Sequence, residues 1–179
     1  MNPLIDRLAL RWWGAARLDA RVFTEVASDP RALAQAVLVV AAGGIARGIG
    51  AFSQEGWLGM AGSPAIGAVV WLVAAVLAWE IGARWTGVRS DFSALLRALG
   101  FAAGPLIALI VCAGLSGTPR TLWWIGVHLW ATLAFAVAVR SALDVSAVRA
   151  LLVCVSALGI AVLLLALAAA VLFDTAFLD

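Results

Sequence analysis

From Leu33 onward the chain alternates long apolar runs with short polar ones. Residues 33–52, 65–84, 95–115, 122–140 and 151–173 consist almost entirely of Ala, Leu, Val, Ile, Gly and Trp. Each run approaches or exceeds the ~20 residues that a helix rising ~1.5 Å per residue needs to cross ~30 Å of hydrocarbon. The pattern predicts an all-α fold, a polytopic integral membrane protein in which residues 33–179 form a bundle of five transmembrane helices. Residues 1–32 form a separate amphipathic segment at its cytoplasmic face. The composition agrees: 65% of the 179 residues are hydrophobic and the mean hydropathy is +1.08, outside the soluble range.

Charge sets the threading. All twelve basic residues are arginine. Arg7, Arg11, Arg17, Arg21 and Arg31 precede the first run, Arg84, Arg89 and Arg97 surround the second turn, and Arg140 and Arg149 bracket the fourth. The opposite side has only Arg120. The positive-inside rule therefore places the N-terminus in the cytoplasm and the C-terminus outside, in a multi-pass plasma-membrane protein. The charged first 32 residues lack the apolar core of a cleavable signal, so the first run is expected to act as its own anchor. Tryptophan, nine copies with no tyrosine, fits the same frame. Trp57, Trp123 and Trp124 fall at the outer interface and Trp79 and Trp85 at the inner one. Trp71 and Trp130 lie deeper and are expected to pack between helices.

At 100° per residue, Arg7, Arg11, Arg17 and Arg21 fall within an arc of about 120°, with Ile5, Leu8, Trp12, Phe23 and Val26 opposite. A helix in the headgroup plane would bury Trp12 and Trp13 and offer those arginines to anionic lipid. The alternative is that the same face packs on the protein's own bundle. Asp19 falls on the apolar side, so one unbroken helix is not expected, and Gly14 offers a break. Asp29-Pro30 reads as an N-cap followed by proline at the first helical position.

Inside the runs, three ionisable residues are candidates for function: Arg47, Glu80 and His128. Arginine near mid-membrane costs about 2.5–3.5 kcal/mol on insertion scales. Arg47 is expected to snorkel outward, to find a buried partner, or to face a ligand. Glu80 stands four residues before Arg84, the favourable order for an i,i+4 pair, and Arg97 lies at similar depth. His128 reads as a hydrogen-bonded packing residue or as a proton relay. Close helix packing is marked by Gly44-xxx-Gly48, by Ala74, Ala78 and Gly82, and by Gly100-xxx-Gly104. Pro105 frees the carbonyl of Phe101 and should kink the third run toward the bundle interior. Cys112 and Cys154 read as small buried residues, and neither makes a metal-ligand spacing with the single histidine. No catalytic, metal or cofactor site is expected, and the net charge of +2 excludes nucleic-acid binding as a reading.

The order of the pieces resembles the Yip (Ypt-interacting protein) domain in its short prokaryotic form. The likeness rests on Phe23-Thr24-Glu25-Val26-Ala27-Ser28-Asp29-Pro30 leading into the first run, and on residues 86–105. There a glycine, a polar turn with Phe92 and a Leu95-Leu96-Arg97 step precede Gly100-Phe101 and Pro105. Arg149-Ala150, opening the last run, fits as well. The Asp-Leu-Tyr-Gly-Pro motif of eukaryotic members is absent. The resemblance covers about residues 20–173 and implies a five-span, membrane-organising role more than an activity. The expected function is a non-enzymatic membrane scaffold whose partners are the lipid bilayer and membrane or cytoplasmic proteins, with a homo-oligomer left open. The alternative is a small transporter, channel or lipid-moving protein using Arg47, Glu80 and His128.

Overall fold

The structure, a computed structural model of the chain, describes residues 3–86 and 91–175. Its regular elements are all helical: α1 (Pro3–Ala16), α2 (Ala20–Ser28), α3 (Ala32–Thr86), α4 (Phe92–Ala102), a 3₁₀ helix (Gly104–Gly114), α5 (Gly117–Leu143) and α6 (Ala147–Thr175). Among the described residues, four stretches are long and apolar enough to cross a membrane: Ala32–Trp85, Phe92–Gly114, Gly117–Leu143 and Ala147–Ala168. The packing is that of a membrane-embedded protein. Small residues line the inside, as in the α6 stripe Ala150, Val153, Cys154, Ala157, Ala161, while Val148, Leu151, Leu152, Val155 and Leu163 face outward. Between helices in lipid there is no hydrophobic driving force, so close approach of small side chains supplies the attraction instead.

The polar loop expected at residues 53–64 is not a loop. Helix α3 runs through it and is interrupted only at Gly56, whose φ of 64° and ψ of −160° suit glycine and strain other residues. The chain reverses there. A Cβ added at Gly44 would lie 2.6 Å from Pro64 Cα, and one at Gly48 2.7 Å from the Met60 carbonyl oxygen. On a continuous helix, positions 44 and 64 would stand about 30 Å apart. Gly44 and Gly48 therefore serve a contact within the chain: they let the two halves of α3 meet backbone to backbone.

The third run is also two pieces. Gly100 of α4 sits against Ala36 of α3, and Pro105, fully buried, opens the 3₁₀ helix at its first turn. A 3₁₀ helix repeats every three residues, so Leu106, Leu109 and Cys112 stand in one row and pack together. That row meets the first half of α3, where Gly43 abuts Leu106 and Gly50 abuts the Leu109 carbonyl.

Helices α1 and α2 pack on the bundle, and the headgroup-plane reading is corrected for two residues. Arg11 is 8% exposed and bonded on all sides, and Trp12 donates from Nε1 to the Gly104 carbonyl at 3.2 Å. The expected break at Gly14 falls later. α1 continues to Ala16 and ends in a Schellman motif, with Asp19 N–H on Gly14 O, Leu18 N–H on Ala15 O, and Leu18 left-handed at φ 62°. Gly14 instead leaves room for Val22 of α2, and Asp19 caps α2 by accepting from the Arg21 N–H. At the end of α1 the Ala16 carbonyl accepts from Trp130 Nε1 at 2.7 Å. Trp130 is the central residue of α5, so α1 reaches the middle of a membrane-length helix. Arg7, Leu10, Trp13, Arg17 and Arg21 remain exposed, with Arg17 over the Trp13 ring.

Candidate functional site

Two polar clusters sit at opposite ends of the bundle. The first lies at the Gly56 end and explains Arg47. Its guanidinium donates to Ser63 Oγ at 2.6 Å and pairs with Glu55 at 3.0 Å, while Ser63 Oγ donates to the Gly59 carbonyl at 2.7 Å. Ser63 is fully buried and belongs to the returning half of α3. The reversal at Gly56 thus provides both partners, and Arg47 extends toward the helix end while remaining bonded. Beside it opens a cavity of about 240 Å³ lined by polar Arg47, Gln54, Glu55, Arg120 and Thr121, with Trp124, Leu109 and Cys112 completing the wall. Arg120 donates to the Gly50 carbonyl at 2.9 Å, and its Nε is buried with no partner.

Of the other intramembrane candidates, Glu80 lies apart from this cluster and His128 stands behind its Trp124 wall. Glu80 lies 3.8 Å from Arg84, four residues on, and both are well exposed. His128 donates from Nδ1 to the Trp124 carbonyl at 2.8 Å and stacks on the Trp124 ring at 3.9 Å, one turn below the cavity. Cys154 is buried and contacts the Thr132 carbonyl at 3.5 Å. Among the described residues, no three His, Cys, Asp or Glu side chains gather where a metal ion could bind.

The second cluster ties α1 and α2 to the bundle. Arg11 bonds Glu25 Oε1 at 2.8 and 3.0 Å, Asp29 Oδ2 at 2.7 Å and Gln35 Oε1 at 2.9 Å, so one side chain joins three helices. Asp29 also accepts from the Arg31 N–H in a turn three residues ahead of Ala32, so Pro30 stands in that turn and not at the first helical position of α3. Arg97 lies 7% exposed under the end of α2, where it donates to the carbonyls of Val26 and Ala27 and to Ser93 Oγ. A guanidinium there satisfies the last carbonyls of α2 and lies at the negative end of its dipole. Arg97 is thus a cap for α2, not a partner for Glu80.

The hydrogen bond from Arg11, followed by the Arg31 N–H, holds the Asp29 carboxyl below the usual carboxylate range. A carboxyl depressed on folding stabilises the native state above its unfolded value of about 4, and that contribution disappears as pH falls through the lower folded value. Thermal melts of the wild type in neutral detergent should therefore lose stability on acidification below about pH 4. Asp29→Asn should be less stable at neutral pH and show a flatter acid limb. A parallel acid limb in both proteins would show that Asp29 carries none of it.

Sequence reading missed Glu55, Ser63 and Arg120 as a group. The available signal was the pairing of positions about Gly56, which sets residues 44–48 against 60–64 once the intervening segment is helical. Gly87–Ser90, part of the stretch that carries the family likeness, lie outside the described residues. No family model, curated protein or solved structure matches the chain. The fold and its polar clusters define a helical membrane protein.

Proposed function

We propose that this chain crosses the plasma membrane five times, the two halves of α3 being separate spans, with its N-terminus cytoplasmic and its C-terminus outside. It acts as a non-enzymatic scaffold or membrane-organising protein of the Yip-like kind, binding protein partners or lipid. The arginine asymmetry supports the threading, because the end of the bundle near Arg11 and Arg97 is the arginine-rich one. One observation favours scaffold over conduit: Glu80 pairs with Arg84 away from the Gly56 cluster, while Arg47 is taken up by Glu55 and Ser63 and His128 by the Trp124 carbonyl. Intramembrane ionisable groups that serve a pathway line one route. Here the exposed chemistry gathers on α1 and α2, where Arg7, Arg17 and Arg21 stand beside Leu10 and Trp13.

Deleting residues 1–20 would remove Arg11 and Trp12 and so perturb the bundle itself. The cleaner test changes only the exposed face. A chain carrying Arg7→Glu, Arg17→Glu and Trp13→Ala should keep its melting temperature yet lose a protein cross-linked to the wild type in native membranes. Undiminished recovery of that protein would refute the scaffold face, as would ion flux through wild-type proteoliposomes abolished by Glu80→Gln.

A further inference from the structure

We infer that the cavity at the Gly56 end is a binding site for a monoanionic phosphate group, supplied by a phospholipid headgroup or by free phosphate. The argument starts from charge. Glu55 lies 3.0 Å from Arg47 and neutralises it, while Arg120 has no carboxylate partner among the described residues. The cavity wall therefore carries one uncompensated positive charge. Arg120 Nη2 is taken by the Gly50 carbonyl and Nε is sealed inside the protein, whereas Nη1 is not buried and has no hydrogen-bond partner among the described residues, so the wall offers the cavity one open guanidinium nitrogen.

The surroundings fit an oxyanion. Gln54 and Thr121 add side-chain hydrogen-bonding groups, and Arg120 stands in the first turn of α5, whose cap residue Ser116 makes no side-chain bond to it. The positive end of that helix dipole adds to the guanidinium. Arginine suits phosphate because its planar N–H groups match the spacing of the oxygens. A singly charged phosphate balances the one free guanidinium, whereas a dianion would leave a charge unpaired beside Glu55. At about 240 Å³ the cavity is smaller than the ~300–1,000 Å³ of drug-sized sites, which suits a headgroup or a small ion. Leu109, Cys112 and Trp124 give it an apolar wall where charge–charge attraction is stronger than in water. This chemistry does not depend on the scaffold reading, since a conduit could hold the same site.

The test uses the purified full chain in a neutral maltoside detergent, with phosphatidylglycerol and inorganic phosphate titrated separately. Native mass spectrometry reads bound lipid, and the fluorescence of the tryptophans, Trp124 among them, reads occupancy. Loss of one charge-assisted hydrogen bond should weaken binding about 10- to 100-fold in Arg120→Gln, with Arg120→Lys between the two. Gln54→Glu, at an exposed position, should weaken binding by repulsion without disturbing the fold, and stands in if Arg120→Gln misfolds. Lipid binding that phosphate does not displace identifies the headgroup. Phosphate binding with the same Arg120 and Gln54 dependence identifies the free anion. If neither binds, or if both variants bind like the wild type, the site is refuted. The partner cross-linking described above is unaffected by either variant, so failure of the site and failure of the scaffold reading are distinguishable.

Discussion

Replacing Arg97 by methionine should destabilise the protein by about 2–5 kcal/mol, the cost of leaving two buried carbonyls without donors. Methionine keeps an unbranched apolar stem and removes the donors together with the charge, so the loss reports the cap on α2. Three groups depend on Arg97: the carbonyls of Val26 and Ala27 and the hydroxyl of Ser93. Asp91, 3.8 Å from the guanidinium, loses its ion-pair partner as well. Lysine should recover part of the loss, because one ammonium cannot span both carbonyls. A thiol-reactive dye reports the transition, since Cys112 and Cys154 are both buried and free. An unchanged melting temperature in Arg97→Met would show that α2 is held by apolar contact alone.

Gly44→Leu should have a comparable or larger effect for a steric reason. The nearest atoms to a new Cβ are Pro64 Cα at 2.6 Å, Pro64 N at 3.2 Å and the Ser63 carbonyl oxygen at 3.2 Å, all backbone. No rotamer change relieves such a contact. The halves of α3 must separate, and Ser63 then leaves Arg47. The expected loss exceeds the ~1–3 kcal/mol usual for overpacking a core. Gly159→Ala supplies the control: nothing lies within 4 Å of its Cβ, and alanine favours helix over glycine by about 1 kcal/mol. Equal melting temperatures for Gly44→Leu and the wild type would mean that the backbone contact at Gly44 does not form.

The apolar runs marked the membrane-length helices because hydropathy is a local sum, and lipid demands it over the whole run. The stripe of Ala74, Ala78 and Gly82 was equally legible, since spacing alone puts these residues on one face. Arg11 was not. An arginine on the polar face of an amphipathic helix reads the same whether it meets headgroups or carboxylates. Glu25 and Asp29 lie 14 and 18 residues further on, and only the turn at Leu18 brings them back to it. Arg47 was half legible: its cost demanded a partner, but Glu55 stood in a segment that looked like a loop. Short polar segments hide helix when their polarity arises from an ion pair and from a hydroxyl bonded back to the helix carbonyls.

The 3₁₀ helix acts as a length gauge for the span that contains it. The stretch Phe92–Gly114 has 23 residues where α5 has 27. As continuous α-helix those 23 would extend about 34 Å against about 40 Å for α5. With eleven residues wound as 3₁₀ at ~2.0 Å each, the shorter stretch gains about 5 Å and comes level with its neighbour. Rewinding Gly104–Gly114 as α-helix would pull its far end inward by that amount and rotate Cys112 out of the row that faces α3. Winding thus sets the length of this stretch, and a thinner membrane is expected to favour the shorter α-helical form.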